Sequence, residues 1–398
     1  VWIPRDLECN WSGAGRQSIR ILTGARQCGK SSLLEHLGSD HTFVSLDDLQ
    51  NRHLAQSDPA LFFQTHPGSL ILDEVQHAPQ LFSELKRLVD AHKAGKVPAR
   101  SFWLSGSNLI LLRKGVQESL AGRASPLRLH PLSVGEITRA LPDFPLVQTL
   151  LWGGWPELYA QQFSLPEVVR YLNDYIQLVL ERDVTQSAGI QKIPQFLKFV
   201  TLLAGRAANV LELSSLASAA GVQVSTVTDW AGALEQMLII QRLPAYTSEV
   251  SKRLIKAPKL YFQDTGLLSR LQGWQALEPL VTSPLVGAAF ENLAFNEILK
   301  TRDHYLQDWN LSYFRTKDGH EIDFIVTSGP RTVLLECKFS AQNTQYIPTP
   351  DVAQKLFGSN IPIHIITFGG DLRPLKNGSY QVPICSLRQF LLDQFQAR

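Results

Sequence analysis

An α/β protein with a parallel-sheet core is the fold class this chain predicts, on three observations. Short apolar runs alternate with helical patterns between Ile19 and Leu129, and such alternation implies parallel strands covered by helices on both faces. The first run, residues 19–22, feeds directly into Gly24, Ala25, Arg26, Gln27, Cys28, Gly29, Lys30 and Ser31. A later run, residues 69–72, ends in two adjacent carboxylates, Asp73 and Glu74.

The segment from Gly24 to Ser31 satisfies GxxxxGK[ST] at every fixed position and, with Ser32, is the expected phosphate-binding loop of a nucleoside triphosphate site. Glycines let a strand-to-helix loop wrap phosphates, so that backbone N–H groups and the helix N-terminus face negative charge. Lys30 is expected to reach the β- and γ-phosphates and Ser31 a Mg²⁺. A plain glycine-containing loop before the helix expected at 31–37 is the ordinary alternative. The second motif weighs against it. An aspartate at the C-terminal end of a parallel strand sits beside such a loop and holds Mg²⁺, while a following glutamate orients an attacking water. Asp73 is therefore expected to bind metal and Glu74 to support hydrolysis. Both acids also suit the end of a strand and the start of the helix expected at 79–92.

Further strands are expected at 42–46 and 102–104. The latter ends in Ser105, Gly106, Ser107, Asn108, where Ser107 or Asn108 is placed to sense a γ-phosphate or simply to cap a helix. Arg123 follows a helical stretch through Leu120 and suits either a surface salt bridge or the stabilisation of charge in phosphoryl transfer, in this subunit or a neighbour's.

At 398 residues and 44% hydrophobic content the chain is expected to form two to four globular domains. No apolar run approaches the about eighteen residues that a membrane span needs, and the first residues lack a signal-peptide layout. No membrane partner and a cytoplasmic location are expected. The chain starts at Val1 and its one methionine is Met237, from which a processed or missing start is expected. Its four cysteines, Cys9, Cys28, Cys337 and Cys385, have no metal-ligand spacing and read as reduced thiols. Cys28 and Cys337 lie inside chemical motifs, where a thiol reagent is expected to inhibit. A net charge of +2 offers no global argument for nucleic acid.

Between Pro131 and Phe199 helical periodicity takes over, as in Val169, Leu172, Ile176 and Leu180, broken by a turn at Gly153, Gly154, Trp155, Pro156. Residues 214–243 read as helix, glycine turn at Gly221, second helix and strand, a helix-turn-helix with a wing. The second helix offers Ser225, Thr226, Thr228 and Asp229 where a DNA reader usually presents Arg or Lys, so a packing module is the stronger reading. The basic set Lys252, Arg253, Lys256 and Lys259 suits a solvated hairpin face, or a grip on phosphate backbone.

Residues 319–338 read as a β-hairpin turning at Ser328, Gly329, Pro330. With Thr327 opposite Thr332, Asp323 falls opposite Glu336 and Lys338 shares their face. Two like charges forced together need a cation between them, and a Mg²⁺ would supply it. Glu291, on the helical pattern Phe290, Leu293, Ala294, Ile298, is placed to complete the site. Glu291, Asp323, Glu336 and Lys338 together resemble the PD-(D/E)XK nuclease motif. In that resemblance the acids hold metal that activates water, and the lysine orients the nucleophile. A solvated hairpin, or a nuclease fold without activity, remains the alternative.

Taken together, the stretches 24–32, 69–76, 104–108, 120–123, 131–136, 153–156, 258–268 and 290–338 resemble the bacterial and archaeal AAA-type ATPases that carry an uncharacterised C-terminal domain. The resemblance implies a P-loop AAA-type core over 1–130, a helical lid over 131–200, a winged-helix segment over 201–285 and a restriction-endonuclease-like α/β domain over 286–398. It also implies ATP rather than GTP, with Mg²⁺. The expected function is ATP hydrolysis that controls a nuclease-like domain acting on nucleic acid, DNA before RNA, with assembly as a homo-oligomer. The alternative is a nucleotide-gated interaction switch or DNA-binding regulator whose nuclease fold is inactive.

Overall fold

A computed structural model describes residues 2–11, 18–106, 120–246, 257–316, 320–340, 357 and 361–396. The chain forms two compact units, one of Pro4–Pro131 with Asp303–Leu306, the other of Val1–Ile3, Leu132–Arg302 and Gln307–Arg398.

The first unit is built on five parallel strands, β1 (Ile19–Gly24), β2 (Thr42–Ser45), β3 (Leu70–Asp73), β4 (Phe102–Gly106) and β5 (Ala124–Leu129), in the order β2-β3-β4-β1-β5. β3 and β4 are buried along their whole length, as their unbroken apolar runs require of strands covered on both faces. Ile19, Ile21, Leu70, Leu72, Phe102 and Leu104 join Leu81, Phe82, Leu85 and Val89 of the helix Leu81–Lys93 in one core. Two helices lie between β2 and β3 that the periodicity leaves unread, Leu49–Ser57 and Pro59–Thr65. Each is opened by an aspartate: Asp48 accepts from the backbone of Gln50 and Asn51 at 3.0 and 2.9 Å, and Asp58 from Leu61 at 2.9 Å.

In the second unit helices run from Val134–Ala140, whose capping box pairs Ser133 with Glu136, to Ile193–Ala204. The pair Leu213–Ala220 and Val224–Gln236 turns at Gly221, whose φ of 73° suits glycine. The antiparallel strands β6 (Ile240–Leu243) and β7 (Lys259–Phe262) follow. The stretches 153–156 and 258–268 of the resemblance meet here. Gly153 has φ 73° and a side chain on it would overlap the Asp264 carboxylate, while one on Gly266 would overlap the Trp152 carbonyl. Asp264 accepts from the Gly154 and Leu267 N–H groups at 2.7 and 2.9 Å.

A six-stranded mixed sheet completes the unit: β8 (Asn310–Arg315), β9 (Glu321–Ser328), β10 (Arg331–Lys338), β11 (Ile363–Thr367), β12 (Arg373–Pro374) and β13 (Tyr380–Pro383), ordered β12-β13-β11-β10-β9-β8. Thr332 stands opposite Thr327 across the β9–β10 turn, the register read from the sequence. Phe290, Leu293, Ala294 and Ile298 of the helix Val286–His304 share a core with Phe324, Val326, Val333 and Leu335 of that hairpin. Among the described residues no helix is long and apolar enough to cross a membrane.

Candidate functional sites: a phosphate loop and a carboxylate centre

β1 ends at Gly24, where a side chain would overlap the Leu129 carbonyl of β5, so only glycine lets the loop leave the sheet there. The loop then uses left-handed backbone at Gln27 (φ 61°) and Gly29 (φ 94°) before the helix Lys30–Leu37 begins. Its first N–H groups lack intrahelical partners, which makes the helix mouth a site for anions. The buried Lys30 ammonium donates to the loop's own carbonyls, Gly24 at 3.1 Å and Ala25 at 2.9 Å. Arg26 and Gln27 are exposed on the loop, and Ser32 is exposed on the first turn of the helix.

Ser31 donates to both carboxylate oxygens of Asp73, at 2.9 and 3.0 Å, which brings the two sequence motifs into contact. Ser105, on the intervening β4, donates to the same carboxylate. Burial pushes the Asp73 carboxyl above its ordinary value, against the lowering pull of Ser105 and Ser31. Next to it Glu74 takes left-handed backbone (φ 54°), bonds through its N–H to Ser105 Oγ at 3.4 Å and accepts from the Gln76 amide. The acids do not cap the following helix, which starts at Leu81 after Gln80.

In the second unit two of the four residues read from the nuclease resemblance, Glu291 and Asp323, hold a cation, and that cation is Lys259. Its side chain is 2% exposed and its Nζ lies 2.8 Å from Glu291 Oε1 and 3.3 Å from Asp323 Oδ1, and also pairs with Glu321. Tyr261 donates to Glu291 Oε1 at 2.6 Å, and the Cys337 N–H to Asp323 Oδ2 at 2.9 Å. Lys338 pairs with Glu336 at 2.9 Å. Burial, then the Asp323 charge, lifts Glu291 to about 8 and Glu336 to about 7. Burial opposes the Lys259 charge, but Glu291, Asp323 and Glu321 outweigh it, so the ammonium holds its proton more tightly than a free lysine. The expectation of a solvated or phosphate-gripping Lys259 is thus corrected: β7 carries it inward, while Lys252, Arg253 and Lys256 lie outside the described residues. Among the described residues Glu291, Asp323 and Glu336 do not bring three ligand oxygens within 4.8 Å of one another.

Residues 16–138 match the family model described as an AAA domain. The first unit is an AAA-type P-loop domain. Residues 144–278 and 286–384 match two models described as domains of unknown function, DUF8612 and DUF4143. The uncharacterized proteins Rv2008c of Mycobacterium tuberculosis and Mb2031c of Mycobacterium bovis are each 28% identical over 376 residues, 92% of this chain and 80% of theirs. Among solved structures, the Walker-type ATPase PABY2304 of Pyrococcus abyssi is similar at 16% identity and TM-score 0.41, over 67% of this chain and 93% of that one. A point variant of Thermotoga maritima RuvB is similar at 17% identity and TM-score 0.31, over 63% and 91%.

Within the AAA domain the structure adds two residues to those read from the sequence. Ser105 is one; Ser107 and Asn108 lie outside the described residues. The other is Arg5, buried, whose guanidinium donates to the Cys28 carbonyl at 2.9 Å and the His130 carbonyl at 2.6 Å and so braces the phosphate loop from behind. Its only signal in the sequence is a charged residue just before the short helix Asp6–Trp11. The Cys28 thiol is fully buried, near the Leu129 carbonyl at 3.5 Å, so a reagent has no direct access to it. Arg123 forms a two-point pair with Asp90 at 2.7 and 2.9 Å, which holds the Asp90 carboxyl below its ordinary range.

Proposed function

We propose that this chain is an Mg²⁺-dependent ATP hydrolase whose nucleotide cycle works as a switch on its other domains. The observation that carries the reading is the contact of Ser31 with both oxygens of Asp73, at 2.9 and 3.0 Å. A hydroxyl and a buried carboxylate held together at the mouth of a phosphate loop are a donor set that fits a hard, oxygen-seeking cation. When bound there, Mg²⁺ would neutralise charge on the triphosphate. Lys30 would exchange the Gly24 and Ala25 carbonyls for phosphate oxygens, and the loop N–H groups would hold the rest. Glu74 would orient the attacking water, with Ser105 and Gln76 fixing its backbone and carboxylate. The preference for ATP over GTP rests on the resemblance.

The switch is favoured over an ATP-controlled nuclease by the Lys259 ammonium among the carboxylates of the second unit. The helix Val224–Gln236 contains no Lys or Arg, so it supplies no charge for holding DNA. The deciding experiment measures ATP binding and turnover with and without EDTA in three chains. Lys30→Ala is expected to weaken nucleotide binding, and Glu74→Gln to keep binding while turnover falls by orders of magnitude. Undiminished turnover in both variants would sink the assignment. Cleavage of single- or double-stranded DNA or RNA that requires Mg²⁺ and disappears in Lys338→Ala would restore the nuclease reading.

A further inference from the structure

We infer that the carboxylate centre of the second unit is closed by Lys259 as its resident cation, forming a clasp that ties β7 to β9 and to the helix Val286–His304 in place of a divalent metal. This clasp is independent of ATP hydrolysis and shares its Lys259 contacts only with the preference for a switch over a nuclease.

The spacing of Asp323 and Glu336 demands a positive charge, because like charges face to face on one sheet face repel. On the Glu336 side Lys338 supplies it, and on the Asp323 side it comes from a different part of the chain, Lys259 on β7. Its Nζ reaches Glu291 on the helix and both Glu321 and Asp323 on β9. An ammonium has three donors, and three carboxylates take them. Further bonds hold the carboxylates in place: the Tyr261 hydroxyl donates to the same Glu291 Oε1, the Cys337 N–H to Asp323 Oδ2, and Lys338 to Glu336 Oε1. A divalent ion needs several of those oxygens turned toward a single point, and these residues do not converge that way. The donor set therefore does not fit the metal that the nuclease resemblance implies, and the positive charge is already part of the polypeptide. Removing one partner of such a buried set leaves the others uncompensated, which is strongly destabilising.

The test is Mn²⁺ titration by electron paramagnetic resonance on the full chain carrying Ser31→Ala, which removes the hydroxyl expected to ligate metal at the phosphate loop, with nucleotide absent. With Lys259 intact, no Mn²⁺ binding that depends on Asp323 or Glu336 is expected. With Lys259→Met added, the chain should either melt at a clearly lower temperature or take up Mn²⁺ that Asp323→Asn abolishes. Should Lys259→Met fail to fold, Lys259→Arg, which keeps a cation, should fold and still exclude the ion. Mn²⁺ bound with Lys259 in place and lost on Asp323→Asn or Glu336→Gln overturns the inference. So does a Lys259→Met chain with unchanged melting and no uptake, or a Lys259→Arg chain that binds the ion.

Discussion

Ser105 donates to the same buried carboxylate as Ser31 and also meets the Glu74 N–H, so one hydroxyl touches both acids of the proposed site. Hydrogen bonds to a charged group contribute about 1.5–3 kcal/mol, on the order of ten- to a hundredfold in rate if expressed at the transition state. Ser105→Ala is therefore expected to slow ATP turnover by about that factor. The Asp73 carboxyl, already raised by burial, should rise further, since the lost bond is one that lowers it. A pH–rate profile checks this: the acidic limb should move to higher pH. Arg5→Met should strand the Cys28 and His130 carbonyls at a cost of about 1–3 kcal/mol. Steady-state kinetics should show KM for ATP rising more than kcat falls, because the phosphate loop loses its brace while Glu74 is untouched. Ser107 and Asn108, which the sequence offers as γ-phosphate sensors or helix caps, lie outside the described residues. Ser105 is hard to single out in the sequence because β4 extends through Gly106 and the serine reads as part of the strand, yet it faces Asp73. Lys259 escaped for another reason: it was grouped with its chain neighbours, and a β-strand decides direction residue by residue.

The phosphate loop, β1, β3 and the β9–β10 register were legible because each rests on a local pattern, whereas the helices Leu49–Ser57 and Pro59–Thr65 were not, being short and marked chiefly by their aspartate caps. At the Gly153 turn two conditions coincide, a positive φ and no room for a side chain against Asp264. Gly153→Ala should lower the melting temperature strongly, and Gly232→Ala, on a helix with open space around it, should not. On β11, burial holds His364 at about 4, below its ordinary 6.5, and its Nδ1 accepts from the Tyr380 N–H at 3.1 Å. The sign follows from proton uptake: below the ordinary value the unfolded chain binds a proton that the folded chain refuses. This contribution to stability is complete above pH 6.5 and is lost as pH falls toward about 4. Urea unfolding across that window should be steeper in pH for the native sequence than for His364→Gln, by about 3 kcal/mol in all.

For the whole molecule, assembly is the question that Arg123 poses. Held by Asp90 in its own AAA domain, it is expected to matter little to turnover: Arg123→Ala should stay within about tenfold of the native rate, where loss of an arginine that acts on the γ-phosphate costs about 10³ or more. Mixing Arg123→Ala with Lys30→Ala chains supplies the check, because recovered turnover in the mixture would assign Arg123 to a neighbouring subunit. The order of strands in the parallel sheet was the part of the architecture that the sequence could not convey, since parallel partners are joined by long crossovers and carry no local mark of which strand they meet. That order has a consequence for how the chain is made. β4 is the fourth strand to leave the ribosome, yet it lies between β1 and β3 and carries the serine that steadies Asp73. A nascent chain that has exposed both motifs but not yet Phe102 has nothing to fill the gap between their strands. Competence to hold nucleotide therefore arrives only after β4 has inserted, and until then the edges of β1 and β3 are open to any other strand that passes.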